Sequence, residues 1–96
     1  MTKSDLVNEI HERTGIEKTQ IVATVEAWMK LIKNNLGEQK AVYLRGFGTF
    51  YAKKRAAKMG RVITRNEQVF IPEHHIPAFK PAKSFMSKVK NAYTQK

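Results

Sequence analysis

Apolar positions follow a helical spacing early in this chain and a strand-like spacing later. Leu6, Val7 and Ile10 fall on one helical face. Ile21, Val22, Val25, Trp28, Met29, Ile32 and Leu36 keep the i, i+3, i+4, i+7 pattern through a longer second helix. Thr2 and Asp5 have the spacing of a capping box, and Gly15 stands where a left-handed cap belongs. A first helix is therefore expected from Lys3 to Thr14. The second is expected from Lys18 to Leu36, preceded by Glu17 and closed by Gly37.

Beyond Gly37 the reading changes to strands and turns. Ala41 to Leu44 is a short strand by composition, and Arg45 to Gly48 is a glycine-rich turn. The next strand starts at Thr49 and runs through Tyr51 and Ala52 into Lys53–Lys58. There the bases fall on both faces, Lys53 and Arg55 on one, Lys54 and Lys58 on the other. That pattern suits a free ribbon rather than a strand packed on a core. Met59 to Asn66 forms the tip, and Val69 to Ile71 returns. Pro72 and Pro77 are expected to limit further pairing. Lys80 and Pro81 open a final helix with a buried stripe of Phe85, Val89 and Tyr93 and a basic exterior. The fold class is α+β: one domain over 1–96, with a body of 1–52 and 72–96 and an arm of about 53–71.

Charge sharpens the picture of the arm. The chain has a net charge of +10 over 96 residues. Residues 1–38 hold five bases and six acids, residues 39–66 eight bases and no acid, and residues 67–96 five bases and two acids. Concentrating like charge opposes folding, and a polyanion partner removes that opposition. The bland alternative is a solvated face.

Size points to a partner of another kind. A chain this short buries a low fraction of its surface, and without cysteine it has no disulfide to compensate. The apolar face of the second helix is wide, so part is expected to pack within the protomer and part against a second copy; the alternative is that all of it is internal core. A helix-turn-helix reader would present polar side chains on its second helix. This one presents mainly apolar residues, so it is read as a packing helix. Phe47 and Phe50 are expected in a core or an interface, with a base-stacking platform as the sharper alternative.

No apolar run approaches the roughly 20 residues that span a bilayer, and the N-terminus has no signal-peptide core. A cytoplasmic protein without membrane contact is the expectation. An enzyme is not expected: histidine is limited to His11, His74 and His75, and no acid lies in the basic segment. His74 and His75 with Glu73 suggest a metal site at first sight, but adjacent strand residues point to opposite faces. No metal and no cofactor are expected.

Four strings, in order along nearly the whole chain, carry a family likeness: Thr-Lys-Ser-Asp-Leu at 2–6, Gly-Phe-Gly-Thr-Phe at 46–50, Arg-Ala-Ala-Lys-Met-Gly-Arg at 55–61 and Pro-Ala-Phe-Lys-Pro-Ala-Lys at 77–83. On these the chain resembles the HU/IHF family of small bacterial nucleoid proteins. The resemblance implies an IHF-like DNA-binding fold: an intertwined dimer with a two-helix N-terminal hairpin, a short antiparallel sheet, a protruding β-ribbon arm and a short C-terminal helix. It implies a homodimer, or a heterodimer with a close paralogue, whose arms embrace duplex DNA through the minor groove. Transferred by position, Lys53, Arg55, Lys58 and Arg61 of the arm and Lys80 and Lys83 would contact DNA, and Lys3, Arg45, Lys54 and Arg65 join them as candidate contacts. Phe47, Phe50 and Phe79 would by the same transfer sit in the dimer core, with Val25, Trp28, Ile32 and Leu44 as further candidates for the interface.

One departure stands out. Family arms carry Asn-Pro after the Gly-Arg of the tip, then Thr-Gly two residues later; the proline kinks DNA by wedging between base pairs. Here Gly60-Arg61 is followed by Val62, Ile63, Thr64, Arg65 and Asn66. Ile63 takes the wedge position, without proline's fixed backbone. The alternative is that Ile63 only packs on the arm or the groove wall.

The expected activity is sequence-tolerant binding, bending and compaction of duplex DNA in the nucleoid, favouring bent, nicked or flexible sites. The alternatives are an IHF-like sequence-preferring factor, an RNA-binding or ribosome-associated module, and an assembly protein whose arms bridge duplexes.

Overall fold

The computed structural model describes residues 1–62 and 67–94, and the side chains of all of these except Arg61, Val62 and Glu67. The order of elements is α1 (Lys3–Thr14), α2 (Lys18–Gly37), β1 (Val42–Leu44), β2 (Gly48–Arg55), β3 (Lys58–Val62), β4 (Glu67–Ile71), β5 (His74–Pro81) and α3 (Lys83–Thr94). They fall into two compact units, Met1–Asn34 and Asn35–Lys96.

In the first unit, α1 begins with a complete capping box. The Asp5 amide donates to Thr2 Oγ1 at 3.2 Å, and the Thr2 amide donates back to Asp5 Oδ2 at 3.0 Å. Two of the helix's orphan donors are thereby satisfied. Gly15 ends α1 in the left-handed region at φ 75°, its amide donating to the His11 carbonyl at 2.8 Å. Both features match the sequence reading. Val7 on α1 and Ile21 on α2 are the buried hydrophobic residues of the described chain, 5% and 3% exposed.

At the far end of α2 the reading needs a correction. Gly37 stays helical, and Gln39 takes the left-handed backbone at φ 61°. The carbonyl of Asn35 accepts from both Glu38 and Lys40, and that of Leu36 accepts from Gln39. These bonds satisfy carbonyls at the helix end, so hydrogen bonding decides the stop rather than the glycine.

The second unit is built on a three-stranded antiparallel sheet in the order β1-β2-β5, with a two-stranded sheet β3-β4. Leu44 to Phe47 turns the chain from β1 into β2: the Phe47 amide donates to the Leu44 carbonyl at 2.9 Å, and Gly46 holds φ 77°. A positive φ at the third turn residue is the type II geometry that glycine permits.

Several strand boundaries differ from the sequence reading. β2 begins at Gly48 rather than Thr49 and ends at Arg55, with Ala56 and Ala57 unpaired before β3. Lys53, Lys54 and Arg55 are exposed and, among the described residues, pair only with Ile76, His75 and His74 of β5, as a two-stranded ribbon rather than a strand packed on a core. Pro77 does not stop the sheet but sits within β5 opposite Ala52. β5 is an edge strand, where half the backbone donors have no neighbour and a missing N–H does no harm. Lys80 and Pro81 also belong to β5, and α3 starts at Lys83 with Ala82 leading in. The stripe on α3 is not buried in the single chain: Phe85 is half-buried, Val89 exposed and Tyr93 87% exposed.

The core of this unit is aromatic. Phe47, Phe50, Phe79 and Phe85 bring rings together from the turn, β2, β5 and α3, with centroid separations of 4.8 Å for Phe50–Phe79 and 5.2 Å for Phe47–Phe79 and Phe47–Phe85. Such pairs contribute about 0.5–1.5 kcal/mol each beyond area burial. Gly48 makes the approach possible: a Cβ there would stand 2.5 Å from the Lys80 carbonyl and 2.6 Å from the Phe79 ring. Backbone cannot yield as a side-chain tip can. Gly48→Ala should therefore destabilise the fold by about 3 kcal/mol. A denaturant midpoint equal to wild type would refute that account of the glycine.

Candidate nucleic-acid interface

The pairing of Phe50 with Phe79 fixes which way the rest of β2 and β5 point. Cross-strand partners share a face and neighbours along a strand alternate. With Phe50 and Phe79 turned to the aromatic core, the opposite face carries the row Tyr43, Thr49, Lys80 and then the pairs Tyr51–Ala78, Lys53–Ile76 and Arg55–His74. Tyr43 is 72% exposed, and Lys53, Arg55, His74 and Lys80 are exposed. This face combines cations with aromatic and hydroxyl groups, chemistry suited to phosphates and sugars.

The register continues beyond the sheet. Arg55 pairs with His74, and three residues on Lys58 pairs with Ile71, so the unpaired Ala56-Ala57 and Pro72-Glu73 are of equal length. β3 and β4 thus prolong the β2/β5 ribbon without a slip. Pro72 supplies no donor there, and its carbonyl contacts His74 Nδ1 at 3.0 Å. Lys58 is exposed on β3.

Among the described residues the bases differ in how far acids hold them. Lys3 Nζ lies 2.6 Å from Glu26 Oε2, linking α1 to α2. The hydrogen bond from Lys3 and its charge hold the Glu26 carboxyl below its ordinary 4.5. Lys54 Nζ lies 3.3 Å from Glu73 Oε2 across the ribbon. Arg45, Lys53, Arg55, Lys58, Lys80 and Lys83 have no acidic partner within salt-bridge distance among the described residues.

The structure therefore brings Lys53, Arg55 and Lys80 onto one face, puts Lys54 on the other, and places Arg45 and Lys83 at the turn and on α3. Lys3 is in the first unit. Arg61 pairs with Gln68 in the β3/β4 ribbon, while Ile63 and Arg65 lie outside the described residues. Tyr43, Thr49 and Tyr51 were missed in the sequence. Strand alternation counted outward from Phe50 would have found Thr49 and Tyr51; Tyr43 needed the pairing of β1 with β2.

The residues expected at a dimer interface are incompletely covered in the single chain. Phe47 is 41% and Trp28 44% exposed, and Val25, Ile32, Leu44, Phe50 and Phe79 are half-buried. His74 and His75 pair with Arg55 and Lys54 on opposite faces, and no group of three ligating side chains suited to a metal occurs among the described residues.

Comparison with known proteins gives concordant matches. A family model described as bacterial DNA-binding protein matches residues 1–90. DNA-binding protein HU of Thermus thermophilus is 39% identical over 90 residues, covering 94% of this chain and 93% of that protein. DNA-binding protein HU of Staphylococcus aureus is 36% identical, covering 94% and 100%. Among solved structures, an Anabaena HU–DNA cocrystal structure superposes with a TM-score of 0.88 at 35% identity, covering 93% of this chain and 97% of that one.

The Lys3–Glu26 contact makes stability depend on pH in the acid range. A carboxyl held low in the folded state stabilises that state above its ordinary 4.5, and the contribution fades as pH falls through the lowered value. Wild type should therefore melt higher than Glu26→Gln near neutrality, with the gap closing at lower pH. A gap that persists undiminished in acid would rule out the ion pair as its source.

Proposed function

The chain belongs to the HU family of bacterial DNA-binding proteins, and on that footing we propose that it binds double-stranded DNA largely without sequence specificity, bending and compacting it. The observation that carries this reading is the outward row of Tyr43, Thr49, Lys80, Tyr51, Lys53 and Arg55, which leads into the β3/β4 ribbon without a break in register. The family is one of DNA-binding proteins, not of enzymes.

In this reading the functional unit is a dimer, a homodimer or a pairing with a close paralogue. Four phenylalanines that none of the described residues fully cover, together with Trp28, support it. A second copy would bury them and bring two arms to one duplex. Cations along the sheet and the arm then meet phosphates, while the ribbon follows the minor groove. Lys3, Arg45, Lys54, Arg61, Arg65 and Lys83 complete the proposed contact set, Lys3 and Lys54 by exchanging their carboxylate partners for phosphate. Preference among sites comes from deformability, so bent, nicked or flexible DNA is favoured. One domain over 1–96 does this work at the nucleoid, in the cytoplasm. No helix among the described residues is long and apolar enough to cross a membrane.

Neutralising roughly 6–10 phosphates per dimer makes affinity fall by about three to five decades between low and moderate salt. Titration of duplex DNA at several salt concentrations should show that slope, with two chains per binding event. Lys53→Ala removes one cation from each chain of the dimer, so it should make the slope shallower by about two and weaken binding evenly across sequences. Affinity indifferent to salt would remove the electrostatic basis, and a stoichiometry of one chain would remove the dimer.

Ile63 stands in the position from which the family's proline kinks DNA, and isoleucine is among the side chains able to unstack a base step. Ile63→Ala should reduce the bend measured by end-to-end fluorescence transfer while leaving the salt slope as it is. An unaltered bend would take Ile63 out of the mechanism.

A further inference from the structure

Of the described apolar side chains on the β3/β4 ribbon, Ile71 is half-buried while Val69, Met59 and Phe70 are exposed. Strand alternation and pairing put Lys58, Gly60, Val69 and Ile71 on one face and Met59 and Phe70 on the other. On the first face Ile71 lies over Gly60: a Cβ on that glycine would stand 2.8 Å from Ile71 Cδ1. The missing side chain makes the hollow that half-buries the isoleucine. On the second face Met59 and Phe70 stand directly opposite one another, 59% and 61% exposed. The ribbon thus shelters Ile71 on the first face, where Val69 is 41% exposed, and presents Met59 and Phe70 more fully on the second, on a ribbon that also carries exposed Arg55 and Lys58.

Resting on the reading that this ribbon binds duplex DNA, we propose that the Met59–Phe70 pair is an apolar contact of the arm with the deoxyribose walls of the minor groove, separate from Ile63 at the tip. Charge selects the occupant. A second ribbon laid against this one would bring its exposed cations, Lys53, Arg55 and Lys58, close to their own copies, which repel. A duplex brings phosphates to the same cations, and the sugars that line its groove are the apolar surface between them. Phenylalanine and methionine are also among the side chains that minor-groove proteins use for apolar insertion. Because this contact releases no counterions, it raises affinity at every salt concentration and leaves the slope alone. That sets it apart from every basic residue of the arm.

The test is the double variant Met59→Thr/Phe70→Thr, which keeps strand propensity and removes the large apolar surfaces. Duplex binding by fluorescence anisotropy across salt concentrations should weaken by about tenfold or more throughout, with the wild-type slope. Unchanged affinity would overturn the proposal, and so would a loss confined to a changed slope. Wild type labelled with 13C-methyl methionine gives an independent reading without any substitution. The Met59 methyl resonance should shift on duplex addition and show contacts to sugar protons; a stationary resonance with bound DNA would overturn the assignment. Salt-dependent binding by wild type together with either negative result would leave the DNA-binding reading standing and remove only this contact. Absence of wild-type binding would remove both. Self-association of DNA-free wild type that the double variant loses would assign the pair to a second copy instead.

Discussion

The close approach at Gly48 is the constraint on which the second unit depends. With no Cβ at residue 48, the Lys80 carbonyl and the Phe79 ring come up against the start of β2. That contact sets Gly48 opposite Pro81, and from there each later pair follows. Phe50 meets Phe79 on the core side, so Tyr51, Lys53 and Arg55 are sent to the other side. A shift of one residue would invert the whole ribbon, turning cations into the aromatic cluster and phenylalanines to solvent. The glycine therefore helps set which way Lys53 and Arg55 point from several residues away, while it meets Lys80 only at its backbone carbonyl.

Two unfinished surfaces result, and they differ in kind. One is apolar: four phenylalanine rings that gather in the second unit and remain partly open. The second is cationic, along the outer sheet face and the ribbon. Each is unfavourable in an isolated chain, the first through hydration of apolar area and the second through self-repulsion. The proposed dimer relieves one and the proposed duplex the other.

The exposed Met59–Phe70 pair belongs to neither category cleanly. It lies on the cationic ribbon yet is apolar, and the same ribbon shows with Gly60 and Ile71 how an apolar residue can be sheltered. Binding that combines ionic and apolar contact would have two parts with different responses to salt. The ionic part gives reach and tolerance of sequence; the apolar part depends on groove width and so on deformability.

Legible in the residues alone were α1 with its capping box and Gly15 stop, the extent of α2 to within a residue, the grouping of Phe47 and Phe50 with other apolar residues, and the confinement of positive charge to the second half. These are local: a cap, a period of 3.6 or a charge count needs only near neighbours. The tertiary structure decided what depends on pairing between distant residues. Pro77 and Pro81 lie in an edge strand, where a missing donor is harmless, although proline taken locally reads as a break. Lys53 to Arg55 are exposed on both faces as their pattern reads, but which strand they pair with, β5 over Ile76 to His74, is decided only by the tertiary structure. Lys3 and Lys54 meet Glu26 and Glu73, acids 23 and 19 positions away in the chain, so charge counting could not show which cations stand apart from an acid. The outward row through Tyr43 emerged only when β1, β2 and β5 were in register, because a face of a sheet is a property of three strands and not of one.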